Sequence, residues 1–520
     1  MDYFEEIIHR ILAGDVSSKD DLERLKTRLC RAHRMDRIPS NAEILASVSE
    51  EDLDEVEGLL RTKPVRTISG VAVVAVMTSP HDCPHGSCAY CPGGIEKGTA
   101  QSYTGREPAA LRAAMWDFDS QGQVRSRLEQ LEAIGHPTDK IDLIIMGGTF
   151  TAREPEYQSE FVKGCFDAMN GVESDSLANA HNKNETSQHR CIGMTVETRP
   201  DHFLQTQIDV TLELGSTRVE LGVQTLSDEA LEWMERGHGS AESALASQLA
   251  RDAGMKVGYH MMPGLPGETP GSDAQTFKRL FTDPAFKPDM LKIYPTLVIE
   301  GTKLHALWKA GEYEPYSTEQ LVSLLADVKA GLPRWTRIQR IQRDIPVQLI
   351  EAGGKKSHLR ELVQWELERR GERCRCIRCR EAGHNYLKGK EPKHIELLTD
   401  EYKASGGTEY FVSFEDVGED ILVGFARLRM PSGNAHRSEM EGSAVIRELR
   451  TVSQQVPISE LKDTSLQHRG FGEALIERCR ELAAEAGMDR MLVMSGVGAR
   501  EYYRKLGFER VGPYMGAGLP

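Results

Sequence analysis

The chain has 520 residues, 39% hydrophobic and 28% charged, with a formal net charge of -15 and a mean hydropathy of -0.43. That length allows three or four domains with full hydrophobic cores, and the composition excludes a disordered chain and a membrane-embedded one. The acidic balance excludes one uniform nucleic-acid-binding surface and leaves room for local basic patches.

From residue 3 to 62 apolar side chains recur at helical spacing, as in Ile7, Ile8 and Ile11 and then Leu22, Leu25 and Leu29, which predicts a small helical domain over 1–66. Its run Arg24, Lys26, Arg28, Arg31, Arg34, Arg37 has little acidic compensation and reads either as a solvated helix face or as an RNA contact. The N-terminal decapeptide lacks a charged-then-apolar leader pattern, and the longest clean apolar run, Val71 to Met77, is about a third of a bilayer span. A cytoplasmic protein with no membrane partner is expected, and in that reducing compartment clustered cysteines are metal ligands or catalytic thiols rather than disulfides.

From 67 to 345, β-rich runs beginning at 71, 141, 191, 218, 255 and 290 alternate with helical stretches. This predicts an α/β fold of parallel βα units, in an open sheet or a barrel, with its site in the loops after the strands. Cys83, Cys88 and Cys91 follow the first run as C-P-H-G-S-C-A-Y-C. Three thiolates so close can hold a 4Fe-4S cluster with one iron open to a small molecule, or zinc if His81 or His85 supplies a fourth ligand. Gly147-Gly148-Thr149, Glu197 in V-E-T-R-P-D and Gly264-Leu265-Pro266-Gly267 each end a run. Residues 172–190 turn polar with no apolar period and read as an exposed excursion without chemistry.

Residues 334–380 hold thirteen basic and six acidic side chains, a local reversal of sign and a second candidate RNA contact. Within the predicted linker 346–392, Cys374, Cys376, Cys379 and His384 form C-x-C-x2-C-x4-H, a closed set suited to structural zinc, with His394 as the rival fourth ligand. From 393 to 520 the pattern is again α/β. There Gln467 to Gly472 opens an amphipathic helix, where free backbone N–H groups and the helix dipole suit a pyrophosphate. Tyr502 and Tyr503 follow, each a candidate for the site or simply a core ring.

The cysteine triad and the strand-end turns together resemble the radical SAM enzymes, which implies a partial βα (TIM-like) barrel, an iron-sulfur cluster on Cys83, Cys88 and Cys91, and S-adenosylmethionine near Gly147, Gly148, Thr149 and Glu197. The C-terminal segment resembles the GNAT acetyltransferases, which implies acetyl-CoA on a splayed strand and on the loop Gln467, Gly470, Phe471, Gly472, with Tyr502 or Tyr503 near the thioester. Joined in one chain, with strings such as CPHGSCAYCPGG at 83, QSYTGREP at 101, HMMPGLPG at 260 and CRCIRCREAGH at 374, the two resemble the catalytic subunit family of Elongator, the tRNA uridine(34) acetyltransferases, in a stand-alone form. The resemblance implies an acyltransferase. A 5′-deoxyadenosyl radical takes hydrogen from the acetyl methyl, and the carbon joins carbon 5 of the wobble uridine to leave 5-carboxymethyluridine.

That family pattern places Lys140, Glu448, Leu449, Arg450, Thr451, Phe471, Gly472, Glu473 and Tyr503 against acetyl-CoA, and Lys292 as a further active-site residue. It implies a tRNA anticodon stem-loop and an electron donor as partners, with a second copy or Elongator-like subunits as further candidates. One departure stands out: the family reads R-E-L-H-V-Y-G where this chain has R-E-L-R-T-V-S at 447–453. Backbone contacts survive such a change, whereas roles of the absent His and Tyr side chains do not transfer. Two other readings fit parts of the sequence: a protein lysine acetyltransferase with a structural iron-sulfur domain, and a non-catalytic RNA-binding scaffold.

Overall fold

A computed structural model describes residues 1–49, 51–452 and 470–519. At the N-terminus, helices Tyr3–Leu12, Lys19–Ala32, Asn41–Leu45 and Leu53–Leu60 close over a core of their own built on Ile7, Ile11, Leu22, Leu25 and Leu29. The helical spacing read from the sequence is therefore a packed face.

The middle of the chain is a sheet of seven parallel strands. They are β1 (Ala72–Met77), β2 (Lys140–Met146), β3 (Arg190–Thr198), β4 (Arg218–Gln224), β5 (Lys256–Met261) and β6 (Met290–Ile293), then, after the two-residue β7 (Val298–Ile299), β8 (Arg337–Ile341). The order is β1-β2-β3-β4-β5-β6-β8, and β1 and β8 are left unpaired with each other, so the barrel is partial and open along one side. β7 pairs only with β9 (Ile350–Ala352). Along the regular stretches side chains alternate with the two-residue period of a strand, interrupted by register shifts at Ile141/Asp142, Leu221/Gln224 and Leu291/Lys292. Ile141, Leu143, Ile145, Val219, Leu221 and Val223 pack outward under the helices, and the residues between them, including Asp142, Arg218, Glu220 and Lys292, face inward.

The C-terminal sheet runs β10-β11-β12-β13-β14-β16-β15, from β10 (Glu396–Ala404), β11 (Gly407–Asp416), β12 (Ile421–Met430), β13 (Ser443–Thr451), β14 (Arg490–Val493), β15 (Glu509–Val511) and β16 (Tyr514–Gly518). β13 and β14 pair in parallel only from Ser443↔Arg490 to Ile446↔Val493. Beyond that, 447–451 pair with β12 alone, after a register shift at Arg427/Leu428, so the two strands part and open a cleft. The helix Phe471–Glu485 packs on this sheet through Leu475, Ile476 and Cys479.

Two sequence expectations change here. The polar stretch 172–190 is not an exposed excursion. It holds the helix Leu177–Asn184, buries His181 and Asn184, and sends Glu185 to Arg500 (3.1 Å) and Arg504 (2.6 Å) of the C-terminal domain. Its polar residues are consumed by partners distant in sequence, so hydropathy alone misreads it. Part of the expected linker 346–392 also belongs to the barrel, because Leu359, Val363 and Leu367 of the helix Leu359–Arg369 enter the main core.

Candidate functional site

At the C-terminal ends of the barrel strands lies a cavity of about 530 Å³. Cys83 lines it, with its thiol 3.5 Å from the Thr149 hydroxyl. The Cys88 sulfur lies 3.1 Å from His85 Nε2 and accepts from Arg236 Nη1 at 3.4 Å, and the Cys91 sulfur accepts the Ser102 N–H at 3.2 Å. Burial pushes the Cys83 and Cys91 thiols up, so ligation there must displace protons. These three sulfurs do not all lie within 4.8 Å of one another, whereas those of Cys374, Cys376 and Cys379 do. One zinc ion, about 2.3 Å from each sulfur, sets tetrahedral sulfurs roughly 3.8 Å apart. The second triad is close enough for one ion to touch all three sulfurs, and the first is more widely spaced.

Gly147 and Gly148 make this arrangement possible. Both have positive φ, a Cβ on Gly147 would meet the Thr78 hydroxyl at 2.0 Å, and one on Gly148 would stand 3.9 Å from the Cys83 sulfur. A side chain at Gly147 would collide with Thr78, and one at Gly148 would crowd Gln101 Cβ at 3.1 Å, so the turn beside the cysteine loop needs both glycines.

Inward-facing residues of the neighbouring strands form a charged column. The Lys292 ammonium pairs with Glu197 at 3.1 Å and, more tightly, with Glu220. His260 Nε2 is 3.0 Å from Glu220, and Tyr103 donates to Glu197 at 2.9 Å. Burial alone would raise the Glu220 carboxyl, but Lys292, His260 and Arg218 overcome it and hold it far below the carboxylate range. Desolvation opposes the charge on Lys292, and Glu220 reverses that to keep it an ammonium. Room for the column comes from glycine: a Cβ on Gly222 would sit 2.5 Å from Arg236 Nη2, and one on Gly258 would sit 3.2 Å from Glu220 Cγ.

The opposite, N-terminal ends of the same strands face the β13 cleft. Lys140, Arg218, Lys256 and Arg337 begin β2, β4, β5 and β8. Glu448 is held at about 2: burial raises it, and Lys256 and Arg427 more than compensate. Arg450 reaches across to the Ser69 hydroxyl at 3.2 Å. On the far side of the cleft Gly470, with φ 71°, caps the helix that Phe471, Gly472 and Glu473 begin, and the Tyr502 hydroxyl lies where a Gly472 Cβ would be, 2.7 Å away. The tyrosine pair thus divides: Tyr502 is half-exposed against that loop, and the Tyr503 ring is in the core beside Phe508. Gln467 lies outside the described residues.

Two further sets of predicted residues have these surroundings. His384 does not join Cys374, Cys376 and Cys379; its Nε2 lies 3.5 Å from Glu381, which also binds Arg337. His394 is exposed, with only its backbone N–H engaged, on Asp416. In the basic segment 334–380, seven of the thirteen basic residues, Arg334, Arg337, Arg340, Arg369, Arg370, Arg373 and Arg380, hold carboxylates. Cys30, Cys165, Cys191 and Cys479 are free and buried.

Sequence reasoning singled out Glu197 and Lys292 but not Glu220, His260, Tyr103 or Arg236. The available signal was a charge at an alternate position of a strand otherwise apolar, as Glu220 is between Val219 and Leu221. The turn at Gly264 has its own support. Asp273 Oδ2 accepts the Gly264 N–H at 2.8 Å and the Tyr316 hydroxyl at 2.7 Å, and burial pushes its carboxyl up to about 7 despite those bonds. A raised carboxyl favours the folded state while protonated, so this stability falls as pH rises from about 4 to 7. Asp273→Asn keeps both bonds and should remove that slope, so that thermal melts at pH 5 and pH 8 differ less for the variant than for the parent chain.

The ELP3 N-terminal domain matches residues 1–68, the Radical SAM superfamily 77–280, the Radical_SAM C-terminal domain 288–369 and the Acetyltransferase (GNAT) family 372–508. A tRNA uridine(34) acetyltransferase of Methanocaldococcus jannaschii is 51% identical over 98% of this chain and 97% of its own. The chain belongs to the Elongator complex protein 3 family. The family member of that name from Drosophila melanogaster is 42% identical over 98% of this chain and 95% of its own. The solved structure of archaeal Methanocaldococcus infernus Elp3 with an N-terminal deletion superposes with a TM-score of 0.78 at 48% identity, covering 87% of this chain and all of that one. Among the described residues no helix is long and apolar enough to cross a membrane.

Proposed function

We propose that this chain is a tRNA uridine(34) acetyltransferase that builds 5-carboxymethyluridine from acetyl-CoA at carbon 5 of the wobble base. The observation that carries this reading is the placement of two chemistries at opposite ends of one set of strands. The first cysteine triad stands at the C-terminal ends, the parted β13/β14 cleft at the N-terminal ends, and a charged column lies between. Ordinary acyl transfer breaks a thioester at its carbonyl and has no need of a barrel. Bonding a methyl carbon to a uracil carbon does need a second, one-electron centre.

Cys83, Cys88 and Cys91 would hold the iron-sulfur cluster, which with S-adenosylmethionine supplies that one-electron chemistry. Thr149 and Arg236 fix the thiols that ligate it. Lys292, kept as an ammonium by Glu220, can present an N–H to a uracil carbonyl. Tyr103 and Tyr294 flank the same cavity and can exclude water from a base placed there. At the other end Lys140, backbone groups of 448–451 and the free N–H groups of Phe471 and Gly472 suit pantetheine and pyrophosphate, and the half-exposed Tyr502 suits the thioester better than the core Tyr503. Cys374, Cys376 and Cys379 would hold a structural zinc with a fourth ligand other than His384. An electron donor and the tRNA are the partners this chemistry requires, in a cytoplasmic setting.

The test is anaerobic reconstitution with iron, sulfide, S-adenosylmethionine, dithionite, acetyl-CoA and a tRNA transcript, followed by nucleoside mass analysis. A carboxymethyl adduct with 5′-deoxyadenosine is expected. Acetylation of a peptide lysine without S-adenosylmethionine, and no nucleoside adduct, would overturn the reading.

A further inference from the structure

The open side of the barrel has an unusual rim. β1 and β8 are its free edges, and the cavity extends into the gap between them, lined by Arg66, Val73, Arg112 and Arg127 on one side and by Gln339 and Arg343 on the other. Val73, on the free edge strand, is 42% exposed. Arg66, Arg112 and Arg127 come from three separate elements, the turn Pro64–Thr67 and the helices Pro108–Met115 and Ser120–Glu132. Across the gap Arg340 is already neutralised by Asp344 at 2.7 Å.

We propose that Arg66, Arg112 and Arg127 form a binding site for a backbone phosphate of single-stranded RNA, which enters sideways through the gap between β1 and β8. This rests on the RNA-modifying reading above and adds a phosphate subsite to it.

Three observations carry the inference. Among the described residues none of the three arginines has an ion-pair partner within 4 Å, although seven arginines of the nearby basic segment do. The carboxylate of Glu107, which lines the same cavity, is engaged by the Thr104 N–H at 2.9 and 3.1 Å. Arg112 is anchored rather than free: it donates to the Ala75 carbonyl at 3.2 Å and the Pro108 carbonyl at 3.3 Å, while its Nε is buried without a partner. Finally, the three charges oppose one another. Burial and then the charges of Arg112 and Arg66 bring Arg127 down to about 10, and burial and Arg66 lower Arg112. A cluster of guanidinium groups without carboxylates is relieved by an anion of matching geometry.

The surroundings select nucleic acid. Behind the rim, the Arg343 guanidinium lies 5.5 Å from the Tyr103 ring centre and 5.9 Å from that of Tyr294, and all three line the cavity, planar groups of the kind on which a base stacks. A base displaced from its stack into that cavity leaves its own phosphate outside, at the rim.

The experiment uses the full chain with its cluster reconstituted and an anticodon stem-loop RNA as probe, measuring Kd across a salt series for the parent chain and for Arg66→Gln, Arg127→Gln and the double variant. Arg66 is exposed, so its replacement does not threaten folding. Each substitution should weaken RNA binding several-fold and lower the slope of log Kd against log salt by about one, with acetyl-CoA affinity unchanged and Arg369→Gln, whose charge is taken by Glu366, behaving like the parent. Unchanged slopes for both single variants would overturn the site. Weakened acetyl-CoA binding with unchanged RNA binding would assign the arginines to a coenzyme phosphate and overturn it as well. These slopes are read without turnover, so a parent chain that binds RNA but makes no adduct would reject the functional reading and leave the site to be judged by its own result.

Discussion

Replacing Lys292 with Met should abolish nucleoside modification and also destabilise the fold by about 3–5 kcal/mol, the usual cost of removing one partner from a buried ion pair. The reason is what stays behind. Glu220 is 1% exposed and Glu197 is 7% exposed; both approach the Lys292 ammonium, and without it Glu220 keeps only His260 and the more distant Arg218, at 3.6 Å, while Glu197 loses its ammonium partner. Glu220 is held well below its ordinary range in the parent chain. Its contribution to stability is therefore present above the unfolded carboxylate range near 4 and lost as pH falls below it. In Lys292→Met that depression is weakened, so the stability gap between variant and parent should narrow as pH falls below about 4. The second substitution Glu220→Gln removes the stranded charge and should return most of the stability without returning activity. Chemical denaturation of the four chains of this double-mutant cycle is the measurement. A Lys292→Met chain as stable as the parent, or a double variant no better than the single one, would show that the column is not held by this pair.

How much of this was legible beforehand depended on whether a signal was local. Period-two and helical spacing give the strand and helix alternation, because each element buries one face. The two cysteine sets show through short spacing alone, and so do the glycine turns. Partners distant in sequence are a different matter. Glu185 becomes intelligible only beside Arg500 and Arg504, and residues 172–190 look idle without them. In the basic segment 334–380 the sequence cannot show which arginines have carboxylate partners, and Asp327, Glu366, Asp400, Glu415 and Asp420 take several of them. Arg66, Arg112 and Arg127 are far apart in sequence, and folding alone brings them to one cavity. His384 has the right spacing for a fourth zinc ligand, yet it turns toward Glu381, because the carboxylate that takes Arg337 is one more charge that spacing cannot show.

The same reasoning sets the expectation for Arg447→Met at the junction of the two large domains. Four arginines and four carboxylates meet there out of water. The barrel supplies Arg251, Asp252 and Asp289, and the acetyltransferase domain supplies Arg427, Arg429, Arg447, Glu409 and Glu448. The barrel's Asp252 and Asp289 face the arginines of its neighbour, so charges of opposite sign meet across the junction. Arg447 does most of the bridging: it donates to Asp289 at 2.7 and 2.8 Å, to Glu409 at 2.8 Å and to the Met255 carbonyl at 2.9 Å, and Arg429 adds Asp252 at 2.6 Å. Methionine in its place leaves Asp289 and Glu409 short of a partner in a dry interface, again costing about 3–5 kcal/mol. Because that cost falls on the junction and not on either core, calorimetry should show one cooperative unfolding transition split into two, with the barrel and the acetyltransferase domain melting apart. Adding Asp289→Asn to Arg447→Met restores neutrality and should bring the transitions back toward one. A single transition at the parent's temperature in Arg447→Met would mean that apolar contacts such as Met440 and Val445 against the barrel core hold the domains together without the charges. The position matters for chemistry as well as stability, since Arg447 sits where β13 leaves β14 and the coenzyme cleft begins: an arginine fixed to the barrel there sets the distance between the two halves of the reaction.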